Sequence, residues 1–223
     1  MKATSRVVIA ILLAIENAEV SYMFQGDSMR TMNFNRGPKH RRRATMRRRR
    51  IVAFFAPIIV FIGIPAWFLL PPQHDPGKSD AVLVIAGASD GRHEFGAQLI
   101  EAGVSENFVV SNPAGAEDAV GFAHCSGALR PESAAKTWCM KSDPVTTTGE
   151  ALAIDRLAKQ EGWTSVIAVT DRPHNHRVRT NLNRCTDLES TVVSIDDFNF
   201  TQVPVRIARE VGGYIKFIVT NPC

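Results

Sequence analysis

The stretch Ser165-Val-Ile-Ala-Val-Thr170 runs directly into Asp171-Arg-Pro-His-Asn-His-Arg177. Six uncharged residues with an apolar centre read as a strand buried on both faces, the kind that parallel sheets use. Pro173 suits the first turn of a helix, with Asp171 as its cap, so the chain passes from strand into helix without a linker. That junction is half of a β-α-β unit, and the rest of the sequence repeats it.

Ala81–Ala86 (AVLVIA) is a second apolar run and ends in Gly87-Ala88-Ser89. His93–Ala102 follows with Phe95, Leu99 and Ala102 at helical spacing, and Gly103 closes it. Strands are predicted at Asn107–Val110, Ala135–Met140 and Thr191–Ile195, and helices at Thr147–Glu161, Pro173–Cys185 and Val203–Val219. The order is β-α-β-loop-β-α-β-α-β-α, which predicts an α/β fold: an open parallel sheet with helices on both faces. Gly87-Ala-Ser-Asp-Gly91 is not the glycine fingerprint of a dinucleotide site, and no repeat is present.

Composition locates the fold within the chain. The 223 residues carry 26 Lys and Arg against 22 Asp and Glu, with 45% hydrophobic residues, which excludes a disordered or collagenous chain. The net charge of +4 is unevenly spread. Residues 1–50 hold 12 basic residues and 3 acids, residues 51–70 no charge, and residues 71–223 14 basic and 19 acidic residues. The basic character belongs to the N-terminal segment, so no nucleic-acid partner is expected.

Ile51–Leu70 reads IVAFFAPIIVFIGIPAWFLL, twenty residues without a polar side chain other than the Trp67 indole. A helix of that length rises about 30 Å, the thickness of a bilayer core. Seven arginines within residues 41–50 precede it, the flank expected on the cytoplasmic side. The expected organisation is a basic cytoplasmic segment (1–50), a transmembrane signal anchor (51–70), a linker (71–79) and an extracytoplasmic domain (80–223). The bilayer is then the first partner, and the localisation is single-pass in the plasma membrane. An uncleaved anchor is favoured over a cleaved signal peptide, with translation expected to start at Met29, Met32 or Met46 rather than Met1.

All four cysteines, Cys125, Cys139, Cys185 and Cys223, follow the anchor. In an oxidising compartment an even count suggests two disulfides, with three possible connectivities. The favoured pairs are Cys125–Cys139, closing the irregular loop, and Cys185–Cys223, tying the C-terminus to a helix end.

Ligands of open parallel sheets bind beyond the strands' carboxyl ends. Gly87–Arg92, Ser111–Pro113, Thr146–Glu150 and Thr170–Arg177 fall there. His174 and Arg177, three apart, share a helix face beside a helix N-terminus, an arrangement suited to an anion. His174-x-His176, with Asp171 as a third ligand, would chelate a metal only on an extended loop, so no metal is expected. Thr147 and Glu150 fit a capping box; the functional alternative gives Thr147 or Thr148 to a ligand and makes Glu150 a general base. Ser111 lacks a nucleophile elbow, and Arg92 either reaches the same mouth or decorates a helix.

In combination, Asp80-Ala-Val-Leu-Val-Ile-Ala-Gly87, Arg92, Val109-Val-Ser-Asn-Pro113, Asp143-Pro-Val-Thr-Thr-Thr-Gly-Glu-Ala151, Val169-Thr-Asp-Arg-Pro-His174 and Arg177 resemble the YdcF/SanA/ElyC family of bacterial envelope proteins. The chain looks most like a cysteine-containing actinobacterial branch, over about residues 78–223. The resemblance implies a Rossmann-like envelope domain with a polar pocket, and relatives are associated with envelope integrity, lipid-carrier metabolism and vancomycin resistance. Glu150 stands where the family usually has asparagine, and Asn112-Pro113 where it has two glycines. The expected role is envelope homeostasis, through a phosphate- or pyrophosphate-bearing small molecule and no cofactor, or through a binding or scaffold module that contacts other envelope proteins. In the enzymatic version His174 and Glu150 are catalytic, and Gly87, Arg92, Ser111, Thr147, Thr148, Thr170 and Arg177 bind the ligand.

Overall fold

The computed structural model describes residues 51, 53–55, 57–87, 91–195 and 201–223. The basic segment 1–50 with its candidate start sites lies outside them, as do positions 52 and 56 of the apolar run and 88–90 of the first loop. From Ala53 onward the described residues belong to one unit.

The apolar run ends in a π-helical turn, Ile59–Gly63, and a short helix α1, Ile64–Leu69. Among the described residues no helix is long and apolar enough to cross a membrane. After the linker come β1 (Ala81–Val84), α2 (Arg92–Glu101), β2 (Asn107–Ser111), α3 (Ala119–Cys125), β3 (Lys136–Met140) and α4 (Thr147–Glu161). Then follow β4 (Ser165–Asp171), α5 (Arg172–Cys185), β5 (Glu189–Ile195) and α6 (Val203–Thr220).

The strands form one parallel sheet in the order β3-β2-β1-β4-β5. Val82, Leu83 and Val84 pair with β2 on one side and β4 on the other, so β1 is central and buried throughout. Successive side chains point to opposite faces. Leu83, Val109 and Ala168 join Ile154 of α4 and Leu182 of α5 in one core, whereas Val84, Val110 and Ile167 join Leu99 and Ile100 of α2 in the other. Helices therefore cover both faces. Gly96 lets α2 come close, since a Cβ there would lie 2.6 Å from Val84 Cγ2.

From residue 80 onward, expected and observed elements agree to within a residue or two, apart from α3. That helix lies in the stretch expected to be irregular, capped by Asp118, whose carboxylate accepts from Gly121 N. The capping box expected at Thr147 is not formed. Thr146 is the cap, accepting from Gly149 N at 3.0 Å, and the Glu150 side chain leaves its own helix for the sheet. The packing fixes this geometry: a Cβ on Gly149 would lie 1.9 Å from the Pro144 carbonyl, so the helix start is pressed against the preceding loop.

Both favoured disulfides are present, Cys125–Cys139 with Cα atoms 5.5 Å apart and Cys185–Cys223 with Cα atoms 5.1 Å apart. The first joins α3 to β3, and the second ties the residues after α6 to the end of α5.

Candidate functional site

After β1 the chain runs outward to β2 and β3, then returns so that β4 lies on β1's other side. Connections leaving β1 and β4 therefore diverge, and a crevice opens between their carboxyl ends. Ala86 and Gly87 form one lip, and Asp171 and His174 the start of α5 on the other. The start of α4 and one flank of α6 complete a cleft of about 800 Å³, with a smaller recess of about 140 Å³ adjoining it.

His174 lies at the junction. Its amide donates to the Asp171 carboxylate at 3.0 Å, the cap expected for this helix. Its Nδ1 is 3.0 Å from Glu210 Oε2, and its Nε2 is 3.4 Å from Thr147 Oγ1. The ring is thus oriented by a carboxylate on one nitrogen and turns the other toward the cleft. Arg177, one turn on, donates through Nε and Nη2 to both Glu210 oxygens at 2.7 and 2.9 Å, and through Nη1 to Thr147 Oγ1 at 2.8 Å.

Burial alone would raise the Glu210 carboxyl, but the hydrogen bonds from His174 and Arg177 outweigh it and bring it to about 2. Glu210 is therefore a fixed negative charge. The sequence reading passed over it because it sits in an apolar helix. The available signal was periodicity: Ile207, Glu210, Tyr214 and Phe217 share the face that α6 turns inward, and a single acid there needs a partner.

Glu150 is not the capping residue expected. It is 4% exposed, and Oε1 accepts from Ala86 N at 2.8 Å and from Ser111 Oγ at 2.6 Å. Burial pushes its carboxyl upward against those two hydrogen bonds. Glu150 straps the ends of β1 and β2 to α4. Ser111 is spent in that strap, fully buried and away from both cavities.

Arg92 is also buried. Nη1 donates to the carbonyls of Ile85 and Ala86 at 3.2 and 3.3 Å, and Nη2 lies 3.5 Å from Asp171 Oδ2. It lines the smaller recess, where Arg206 approaches the same Asp171 oxygen at 3.3 Å.

Of the expected site residues, the main cleft brings together Gly87, Thr147, Thr148, Glu150, His174 and Arg177. Arg92 joins them through the recess. Thr148 donates to Asn181 Oδ1 at 2.6 Å, while Thr170 lies inside β4 and lines neither cavity. His176 points away and stacks on Trp67, its ring centroid 4.3 Å from the indole, so His174 and His176 do not converge. Among the described residues no group of three or more His, Cys, Asp and Glu is placed to hold a metal.

Arg209 and Lys216 of α6 were not foreseen and line the main cleft from exposed positions. Arg92, Arg177, Arg206, Arg209 and Lys216 face Glu150, Asp171 and Glu210 around the two cavities, so cations outnumber carboxylates. With the positive ends of α4 and α5 directed at the same space, the arrangement suits an anion. No family model matches the chain, and no curated protein matches it.

Proposed function

We propose that this chain is a membrane-anchored, extracytoplasmic Rossmann-like domain of the YdcF kind, serving envelope homeostasis through a phosphate- or pyrophosphate-bearing ligand. The observation that carries this reading is the Glu210–His174 pair at the floor of a cation-rimmed cleft. Support for the setting comes from the apolar run 51–70 with its arginine flank and from two disulfides, which persist in oxidising compartments.

As a hydrolase, the site would work by positioning and proton transfer. Arg209 and Lys216 at the rim hold the phosphoryl oxygens beside the two helix starts. His174 Nε2 takes a proton from water as the water oxygen bonds to phosphorus. The bond to the leaving oxygen breaks, and that oxygen receives the proton from His174. Glu210 fixes the His174 tautomer and stabilises the imidazolium between the two transfers.

One observation favours a binding module instead. Glu150 Oε1 and three Arg177 donors are already engaged with Ala86, Ser111, Glu210 and Thr147, so these groups serve first to hold the shape of the cleft.

The test uses the full chain in detergent micelles with prenyl phosphates, prenyl pyrophosphates and nucleotide sugars, measuring melting temperature and phosphate release. An enzyme gives turnover that disappears in His174→Ala while binding persists. A binder gives stabilisation that weakens in Arg209→Ala and Lys216→Ala, with no phosphate released. Neither stabilisation nor turnover across the panel overturns the phosphorylated-ligand reading.

A further inference from the structure

The outward face of α6 contradicts its position on a surface. Ile207, Glu210 and Phe217 turn inward and are buried. On the opposite side Val205, Ala208, Gly212, Ile215 and Val219 are all exposed, and none carries a charge; Ile218, beside the Tyr214 stripe near the helix end, is exposed as well. Val205 is 73%, Ile218 65% and Val219 77% exposed. A helix lying between a core and water should be polar on this face. This one is apolar outward; its buried charge, Glu210, faces inward, and its cations lie on the flank toward the cleft. On the cleft side the flank is cationic, with Arg209 and Lys216 seven residues apart and therefore in line.

The apolar run 51–70 ends against α5 and α6. Phe68, at the end of the apolar run, is buried and meets the Tyr214 ring of α6 edge-on at 6.2 Å. Trp67 stacks on His176 of α5 while its carbonyl lies 2.9 Å from His176 Nε2, and the Leu69 carbonyl accepts from Arg172 at 3.3 Å. The exit of the apolar run is thus fastened to α5 and α6 rather than joined by a loose tether. Phe54, Phe61 and Ile62 of that run are 65% exposed or more. The contact of Phe68 with Tyr214 is a buried one on the inner side of α6, so the apolar run and this helix, with its cationic rim, are held together in one body.

We infer that α6 lies flat in the headgroup layer of an anionic bilayer, with Val205, Ile215 and Val219 inserted and Arg209 and Lys216 at the lipid phosphates. Helices that rest in an interface pair an apolar face with basic residues at headgroup level, and here the basic flank is the one toward the cleft. The mouth of the main cleft, which shares Arg209 and Lys216, is then held at headgroup level. The inference rests on the membrane-anchored reading of residues 51–70, and its test separates the two.

The full chain is reconstituted in vesicles of phosphatidylcholine and phosphatidylglycerol, and flotation after an alkaline wash reports the anchor. Ile215→Trp then reports α6, and Leu129→Trp, exposed in the turn after α3, is the control. Brominated lipid should diminish the emission added by Ile215→Trp and leave that added by Leu129→Trp unchanged. A chain that floats but whose residue 215 stays unquenched overturns the inference and leaves the anchor intact. Protection of residue 215 from an aqueous quencher without bromolipid quenching also overturns it, by showing that protein covers the helix. Equal bromolipid quenching at 215 and 129 overturns it as well, because the whole surface then adheres. A chain that does not float removes the anchor reading itself.

Discussion

Two glutamates with opposite electrostatics hold the site. Glu150 accepts two buried hydrogen bonds through a single oxygen, Oε1. Gln offers a carbonyl oxygen at that place, so Glu150→Gln should keep the fold within about 1 kcal/mol and keep ligand stabilisation. Glu150→Ala strands the Ala86 amide and the Ser111 hydroxyl and should cost about 1–3 kcal/mol for each. Denaturant unfolding of both variants checks this, and equal losses would remove the strap as the explanation. Glu210 serves its partners by being charged. Glu210→Gln leaves Arg177 and His174 without their counter-ion and should cost about 3 kcal/mol. The wild-type carboxyl is lowered from 4.5 to about 2, so the unfolded chain binds the extra proton between those values. The Glu210 contribution is therefore complete above about pH 4.5 and is lost as pH falls toward 2. Melting temperature followed across that range should drop in the wild type and run flatter in Glu210→Gln. His174 and Arg177 were legible because they follow a strand–helix junction. Glu210 was obscure because its partners are more than thirty residues away in sequence.

Elements carry a second acid response through a different pair. α2 and α3 meet where the His93 and His124 rings stack with centroids 5.5 Å apart. Both residues are buried, and neither His93 ring nitrogen has a hydrogen-bond partner among the described residues. Burial lowers both; Asp118 pulls His93 and the Leu129 backbone pulls His124 the other way, with Glu94 assisting at each, while His124 and Arg92 add to the lowering at His93. The unfolded chain takes protons on these residues near 6.5, before the native chain can. Stability should fall as pH drops from 6.5 toward the depressed native values and level off below them. The window lies above that of Glu210, so the two can be separated. His93→Leu should flatten the limb just below pH 6.5 in a thermal melt, and an unchanged limb would exclude the pair as its source. The boundaries of α4 and α5 were readable because Gly162, Pro173 and Asp171 mark them with backbone and capping chemistry. α3 was not, because its seven residues are interrupted by Gly121 and follow Pro113 and Gly115. The absent capping box has the same lesson: pattern fixes which residues are eligible, and the approach of a neighbouring strand decides which partner wins.

At the scale of the molecule, the strand order β3-β2-β1-β4-β5 makes the cleft, and local pattern does not specify that order. Alternating strands and helices pointed to a parallel sheet, and the right-handed rule for crossovers narrowed its topologies without choosing one. What the order leaves unclosed is the far wall, because α6 packs on α5 rather than on a strand. Cys185–Cys223 ties the two together across a sequence separation of 38, and Cys125–Cys139 closes a separation of 14 at the other edge of the sheet. On loop-closure entropy alone the longer bridge is worth about 4 kcal/mol and the shorter about 3 kcal/mol. Similar stabilities hide different consequences. Cys125→Ser with Cys139→Ser loosens α3 and β3, which contribute neither Glu210 nor the cationic rim. Cys185→Ser with Cys223→Ser releases the helix that supplies Glu210, Arg209 and Lys216 together. Both double variants should therefore melt earlier. Only the second should lose ligand-induced stabilisation and the wild-type response to acid between pH 4.5 and 2, because His174 and Arg177 no longer meet Glu210. Equal loss of ligand stabilisation in the two would mean that the wall formed by α6 is not what completes the site.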